Sequence, residues 1–164
     1  MPYVVDVTYD ESLLLWHIAT ELLYSEDGNR EQRSDDKSFC KLLSDYMMYL
    51  LIMQPAMMAA VAGIEVKPVD VKGDRSKSVL FDASRLAKLL KKEKEEKRWE
   101  LLRRVWVELL SYAAGNCRAN AHAQQVSKGG ELLTFVWLLM AHFGLTDQFQ
   151  INKGHARAKL IAGK

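Results

Sequence analysis

The sequence predicts an all-α fold, an irregular bundle of about five to seven helices. Residues that break helices are scarce, because the 164 residues include only three prolines and nine glycines. Long segments consist of Leu, Ala, Lys, Glu and Met, which favour helices. Within them apolar residues recur every three or four positions, the period of an amphipathic helix. We therefore expect one helical domain spanning residues 1–164.

The composition and net charge of the chain argue against several classes of function. Apolar residues make up 49% of the chain and charged residues 27%, as in ordinary globular proteins. The formal net charge of +2 is too small to indicate a nucleic-acid partner, and none is expected. Cys40 and Cys117 are too few and too far apart for a disulfide scaffold or a zinc site. We expect them to be reduced, partly buried thiols of an intracellular protein.

The pattern also places the first helices and the polar segments. The first helix is expected over residues 11–25 with Asp10 as its N-cap, and the second begins near Ser38. Residues 26–37 lie between them and contain no apolar side chain, so a mobile polar loop is expected there. The basic tail, residues 147–164, is expected either to dock or to fray.

Residues 76–114 form the stretch around which the other helices are expected to pack. Apolar residues recur at both of its ends, and the charge-dense run 91–98 between them indicates a solvated helical face or a bend. Its last helix should stop at Gly115–Asn116. We place Trp106 in the core, together with Trp137 from the later segment ELLTFVWLLMAHFG. That segment is apolar nearly all round, which predicts a central helix.

Residues 46–62 raise the question of a membrane, because they carry no charge. The run is at the lower length limit for a bilayer-crossing helix, and Pro55 should break or kink it. Asp45 and Glu65 flank it instead of the usual basic anchors. We favour a buried helix followed by a second short one. The alternative is a membrane-associated protein with Tyr46–Ala62 inserted or interfacial.

Five of the seven methionines lie in this segment. Methionine is flexible and polarizable, which suits adaptable binding surfaces. We name Met47, Met48, Met57 and Met58 as candidate contacts with a protein partner. Ordinary core packing is the alternative interpretation.

A second candidate site binds anions and consists of Lys72, Arg75, Ser76 and Lys77. These residues surround Gly73 at an expected helix N-terminus, where backbone N–H groups can hold an anion. The first glycine and the GK[ST] ending of a phosphate-binding P-loop are missing. A capped, solvated loop is the alternative.

No residue pattern points to a reaction. The histidines, His17, His122, His142 and His155, lack the spacing of a metal site, so neither a metal nor a cofactor is expected. His122 has the most polar surroundings, but five residues separate it from Cys117, a poor distance for facing side chains on a helix. We therefore name no catalytic residue and expect no enzyme. An enzyme of unknown type is kept as a second alternative.

Three segments carry a family resemblance. They read VKGDRSKSVLFDASRLAKLL, RWELLRRVWVELLSYAAGNCRANAHAQQVSKGGELLTFVWLLMAHFG and QFQINKGHARAKL. The earlier segments ESLLLWHIATELLY and LSDYMMYLLIMQPAMM fit the same pattern. In this order they resemble the plant domain-of-unknown-function family 594, which is abundant in grasses. The resemblance implies a helical region on the cytoplasmic side of a membrane region, with no established activity, cofactor or catalytic residue.

The chain looks like a shortened, stand-alone version of that helical region, without the membrane region. We therefore expect a non-enzymatic protein–protein interaction module that pairs with a full-length relative or with that relative's partner. It could act as an inhibitor or as one half of a toxin–antidote pair. Homo-oligomerisation is left open. The expected location is the cytoplasm, with a membrane-associated or organellar location as the alternative.

Overall fold

The computed structural model describes residues 8–27, 35–61 and 75–145. Within these ranges it contains seven α-helices and no strand, so the prediction of an all-α fold is confirmed. The helices are α1 (Tyr9–Glu26), α2 (Asp35–Met53), α3 (Pro55–Met58), α4 (Arg75–Leu90), α5 (Glu95–Asn116), α6 (Ala119–Ser127) and α7 (Leu132–His142).

Helices α1 and α5 run antiparallel and are joined by side-chain hydrogen bonds at three levels. At the start of α1, the Tyr9 hydroxyl donates to the backbone carbonyl of Leu109 at 2.6 Å. In the middle, the indole N–H of Trp106 donates to the Thr20 hydroxyl oxygen at 3.1 Å. The third level lies at the end of α1, at Asp27. These bonds satisfy polar groups that packing would otherwise bury without a partner.

Asp27 connects the end of α1 to the beginning of α5. One of its carboxylate oxygens accepts hydrogen bonds from the Arg98 guanidinium at 2.6 Å and from the Trp99 indole at 3.2 Å. Lys37 from α2 completes the junction, since its ammonium lies 5.0 Å from the Tyr24 ring centre and 6.0 Å from that of Trp99. Arg98 and Lys37 are both buried. A buried cation needs such partners, so this junction fixes where α5 begins.

The core lies between α1, α2 and α5. Helix α4 packs against α1, α7 packs against α5, and the short helices α3 and α6 contact each other at one end. Ala83 and Ala87 form the buried side of α4, so that helix can approach α1 closely. Trp106 is fully buried, which confirms its predicted place. Trp137 is only half-buried and packs at the edge of the core.

Two helices extend further into the predicted polar loop than expected. Helix α1 ends at Glu26 and α2 begins at Asp35, so the predicted loop of residues 26–37 is helical at both ends. The expectation of a fully solvated loop is wrong at Lys37, whose alkyl chain and charge pack against aromatic rings. Residues 28–34 lie outside the described residues, and so does the predicted tail, residues 147–164.

The N-terminal boundary of α1 also differs from the prediction. The capping residue is Thr8 and not Asp10. The Glu11 carboxylate accepts the backbone N–H of Thr8 at 3.2 Å, which is the return bond of a capping box. The sequence T-Y-D-E contains this signal, with Thr and Glu three residues apart.

The uncharged segment from Tyr46 contains a break at the predicted place. Helix α2 ends at Met53, and Pro55 occupies the first turn of α3. Leu50 and Met58, on either side of the break, are buried in the core. Among the described helices, none combines the length and the apolar character needed to cross a bilayer.

The charge-dense run 91–98 contains a bend, as one of the two interpretations predicted. Helix α4 ends at Leu90, and α5 begins at Glu95. The run is exposed up to residue 97, but Arg98 is buried because its guanidinium pairs with Asp27. The expectation of a solvated face is therefore wrong at Arg98. Helix α5 ends at Asn116, at the predicted stop.

Replacing Trp106 by Ala is expected to lower the free energy of unfolding by about 3–5 kcal/mol, because it empties a fully buried site and removes the bond to Thr20. Leu101→Ala on the same helix is the control, since Leu101 is 42% exposed and should cost about 1 kcal/mol or less. Urea denaturation followed by circular dichroism measures both values. Equal midpoints for the two variants would contradict this packing of α5.

Removing the carboxylate of Asp27 is expected to cost about 3 kcal/mol, because Arg98 then keeps a buried charge without its ion-pair partner. Glu100→Ala is the matched control. It breaks the exposed pair with Arg104 in the same helix and should cost about 0.5 kcal/mol or less. The same denaturation experiment compares Asp27→Ala with this control, and a smaller loss for Asp27→Ala would show that the junction is solvated.

Candidate functional site

One side of α7 is apolar and exposed. The segment Leu132–His142 contains no Asp, Glu, Lys or Arg. Leu133 and Met140 point into the core, whereas the opposite side carries large exposed side chains. We call this exposed set the α7 face, and it consists of Leu132, Phe135, Leu138, Leu139 and Phe143. Phe135 is 57% exposed and Phe143 is 68% exposed, so a large apolar area faces solvent.

The α7 face corrects the prediction that this helix is central in the core. A sequence that is apolar all round usually indicates a buried helix. In the structure, α7 packs against α5 and α6, which cover one side of the helix only. The uniform pattern cannot reveal which side is covered, so this surface does not follow from the sequence. The one available signal was the spacing of Leu132, Phe135 and Leu139, which fits a helix–helix seam.

Helix α2 has an exposed apolar strip as well. Its buried side contains Leu43, Met47 and Leu50, which face α1 and α5. The exposed side chains next to Tyr46 form what we call the α2 strip, namely Leu42, Tyr49 and Met53. Leu42 is 72% exposed, so the strip is open along more than three helical turns.

Tyr46 connects the α2 strip to the α7 face. Its hydroxyl accepts the backbone N–H of Leu133 at 3.0 Å and donates to the Glu131 carboxylate at 3.1 Å. Its ring stacks on Tyr49, with the ring centres 6.4 Å apart. Burial raises the pKa of Tyr46 well above its usual range, so the hydroxyl keeps its proton. The start of α7 is therefore held against α2 at Tyr46, which connects the two exposed sets at this end.

The other end of α7 is closed by a Schellman motif. The backbone N–H of Leu145 bonds to the carbonyl of Met140 at 2.8 Å, and that of Gly144 bonds to the carbonyl of Ala141 at 3.2 Å. Gly144 has φ +67°, a left-handed conformation that glycine adopts without strain. Both ends of α7 are thus fixed by hydrogen bonds.

His122 packs against the inner side of α7 and is fully buried. Its ring stacks on Trp137 with 4.7 Å between the ring centres and an angle of 6° between the planes. Nε2 donates to the carbonyl of Ala114 at 3.1 Å, since that oxygen can only accept. Nδ1 then accepts from the Thr134 hydroxyl at 3.1 Å. Burial lowers the pKa of His122, so the neutral ring is the form that holds these bonds.

The two cysteines are free thiols buried in the core. Cys117 donates to the carbonyl of Met57 at 3.3 Å, and Cys40 lies 3.6 Å from the carbonyl of Trp99. Burial raises the pKa of each thiol to about 12, so neither is a nucleophile at neutral pH. Cys117 and His122 thus bond to other groups, and the arrangement forms no thiol–imidazole pair.

The four methionines named as partner contacts are placed differently from the prediction. Met47, Met57 and Met58 are buried, and Met48 is half-buried. The expected surface position is wrong for the three buried residues, because Met47 lies on the core side of α2 and the turn at Pro55 folds the other two inward. The exposed methionine of this region is Met53, in the α2 strip.

The predicted anion site lies mostly outside the described residues. Lys72 is not described, and the side chains of Arg75, Ser76 and Lys77 are not either. The helix there begins at Arg75, one residue earlier than expected. The anion site stays a prediction.

A group of possible metal ligands lies between α1 and α2. His17, Glu21 and Asp45 bring one ligand atom each within 4.8 Å of the others. The Lys41 ammonium already lies between the two carboxylates, 2.8 Å from Glu21 and 2.6 Å from Asp45. The Ser44 hydroxyl lies 2.8 Å from Nδ1 of His17. Because Lys41 already pairs with both carboxylates, we assign these residues to an ion-pair network that joins the helices.

Lowering the pH is expected to destabilise the domain through His122. Its pKa in the folded protein lies below the ordinary value of 6.5, so below pH 6.5 the unfolded chain binds more protons. The contribution of the neutral His122 ring to the free energy of unfolding is complete above pH 6.5. It is lost as the pH falls towards the pKa of His122 in the folded protein. Urea denaturation of the wild type and His122→Gln between pH 8 and pH 5 measures this change. The variant should lose less stability over that range, and parallel curves would exclude a buried neutral ring.

Of the comparisons with known proteins, the one with protein families gives a match. No curated protein and no solved structure matches the chain. A family match covers residues 91–145, about a third of the chain, and this segment includes α5, α6 and α7. The matching family is described as a protein of unknown function, DUF594, and the chain is similar to this family over the matched residues.

Proposed function

We propose that this chain is a non-enzymatic protein–protein interaction module whose partner binds at the α7 face. The observation that carries the proposal is the exposed, uncharged side of α7. Apolar patches on monomeric proteins rarely exceed a few hundred Å², and larger ones are typical of binding sites. Charged residues are depleted at the centres of protein interfaces, which fits the composition of α7.

The rigidity of α7 supports this role. Its first turn is held by Tyr46, its last turn by the Schellman motif at Gly144, and its inner side by the stack of Trp137 on His122. A helix that is already fixed loses little conformational entropy when a partner binds. The α7 face is therefore ready for binding without rearrangement of the domain.

The exposed residues indicate what the partner should look like. The positions of Leu132, Phe135 and Leu139 are three and four residues apart, as in helices that pack side by side. The partner surface we propose is an amphipathic helix with an apolar stripe. A relative with the same family region is one such partner. By occupying it, the chain would act as an inhibitor or as one half of a toxin–antidote pair.

The buried thiols support a reducing, intracellular location, which is part of the proposal. Cys40 and Cys117 are both free, and free thiols persist where glutathione and thioredoxin keep them reduced. Insertion of residues 46–62 into a membrane would remove Met47, Leu50 and Met58 from the core. We therefore do not propose membrane insertion of that segment.

The substitution Phe135→Glu is expected to abolish partner binding, because it places a charge in the middle of the α7 face. Tagged wild type and variant are incubated with plant cell extract without detergent, and bound proteins are identified by mass spectrometry. A partner that binds the wild type stoichiometrically should be lost from the variant.

Phe81→Glu is the matched control. Phe81 is 68% exposed on α4, outside the α7 face and the α2 strip, and this variant should keep the partner. Circular dichroism confirms that both variants are folded. Partner binding that survives Phe135→Glu would overturn the proposal. Recovery of the wild type on lipid vesicles, with no stoichiometric protein, would replace it by membrane association through the α7 face.

A further inference from the structure

We infer that the α7 face and the α2 strip together form an isologous interface between two copies of this chain. The inference rests on the proposed function, since it names an occupant for the same surface. Three observations carry it: the exposed area, the absence of charge, and the complementary groups at the two ends of α7.

The exposed area matches what a stable dimer needs. A large apolar side chain has on the order of 200 Å² of accessible surface, so the exposed fractions of the α7 face and the α2 strip amount to roughly 900 Å². The largest apolar patch on a typical monomer is about 300–600 Å². A standard interface buries about 800 Å² on each partner. One copy therefore offers enough apolar surface for one side of such an interface.

The absence of charge favours a second copy as the occupant. In a two-fold symmetric dimer the same patch is contributed by both copies, so a charged patch would face its own charge. Helix α7 carries no Asp, Glu, Lys or Arg, and neither do residues 46–53 of α2. The other end of the α2 strip, at Leu42, lies beside the ion pair of Lys41 with Asp45. An interface centred on these charge-free segments would bury apolar side chains without juxtaposing like charges. Permanent homodimer interfaces are the class with the most apolar composition.

The two ends of α7 complement each other when two copies pack antiparallel. Glu131 precedes the first turn and His142 ends the last, so antiparallel packing places the acid of one copy near the histidine of the other. The positive end of each helix dipole then lies beside the negative end of its neighbour. In this arrangement Leu132 of one copy lies opposite His142 of the other, and Phe135 lies opposite Leu139.

Sedimentation velocity of the purified full chain, from nanomolar to high micromolar concentration, tests the inference. The expected mass of the associated species is twice the 18.7 kDa of one chain. Phe135→Glu should raise the dissociation constant at least about tenfold, because it charges the middle of the interface. Leu138→Arg is a second variant in case the first fails to fold. Phe81→Glu should remain a dimer, because Phe81 lies outside the interface.

Cross-linking tests the antiparallel arrangement. A mixture of Phe135→Cys and Leu139→Cys chains should form an oxidised heterodimer more efficiently than either variant alone. The native Cys40 and Cys117 are buried and do not interfere. Equal cross-linking by each single variant would exclude this alignment of the two α7 helices.

The two proposals fail in different ways. A wild-type chain of 18.7 kDa at every concentration overturns the dimer. If that monomer still loses a partner on Phe135→Glu, the interaction module stands with another occupant. A dimer that persists in both Phe135→Glu and Leu138→Arg shows that copies associate elsewhere, which also overturns the inference.

Discussion

The antiparallel pairing of α1 and α5 is the constraint on which the rest of the fold depends. Three connections fix it: Tyr9 to the carbonyl of Leu109, Trp106 to Thr20, and Asp27 to Arg98. They lie at the beginning, middle and end of α1. Sliding or rotating one helix against the other would therefore break these hydrogen bonds. Each group is buried or partly buried, and a change in alignment would leave all of them without partners. The apolar core supplies most of the stability, while these bonds select one arrangement.

Once α1 and α5 are aligned, the remaining helices have defined places around them. Helices α2 and α4 pack on α1, and α2 also packs on α5. Helix α7 rests on the far side of α5 with little else around it. The polar contacts at Tyr46 and His122 fix its position there. This explains why the most apolar helix among the described residues leaves half of its surface exposed.

The sequence predicted the helices better than the surface they form. The 3.6-residue period and the proline at 55 were enough for helix number and for the break after α2. The buried side of α2 was predicted wrongly at Met47, although its spacing carries the signal, since Met47 lies four residues after Leu43 and three before Leu50. The bonds of His122 reach across 8 and 12 residues and depend on tertiary packing, so no local pattern encodes them. In α7 nearly every residue is apolar, so there is no alternation of apolar and polar positions from which a buried side could be predicted.

Helix α7 buries fewer of its side chains than α1 and α5 do. Among its residues, Leu133, Thr134 and Met140 are the buried ones, whereas α5 buries both Trp99 and Trp106. A partner that covers the α7 face would add the apolar contacts that the domain itself does not supply. Binding and the local stability of α7 are therefore linked, and occupation of the face should strengthen its attachment to α5.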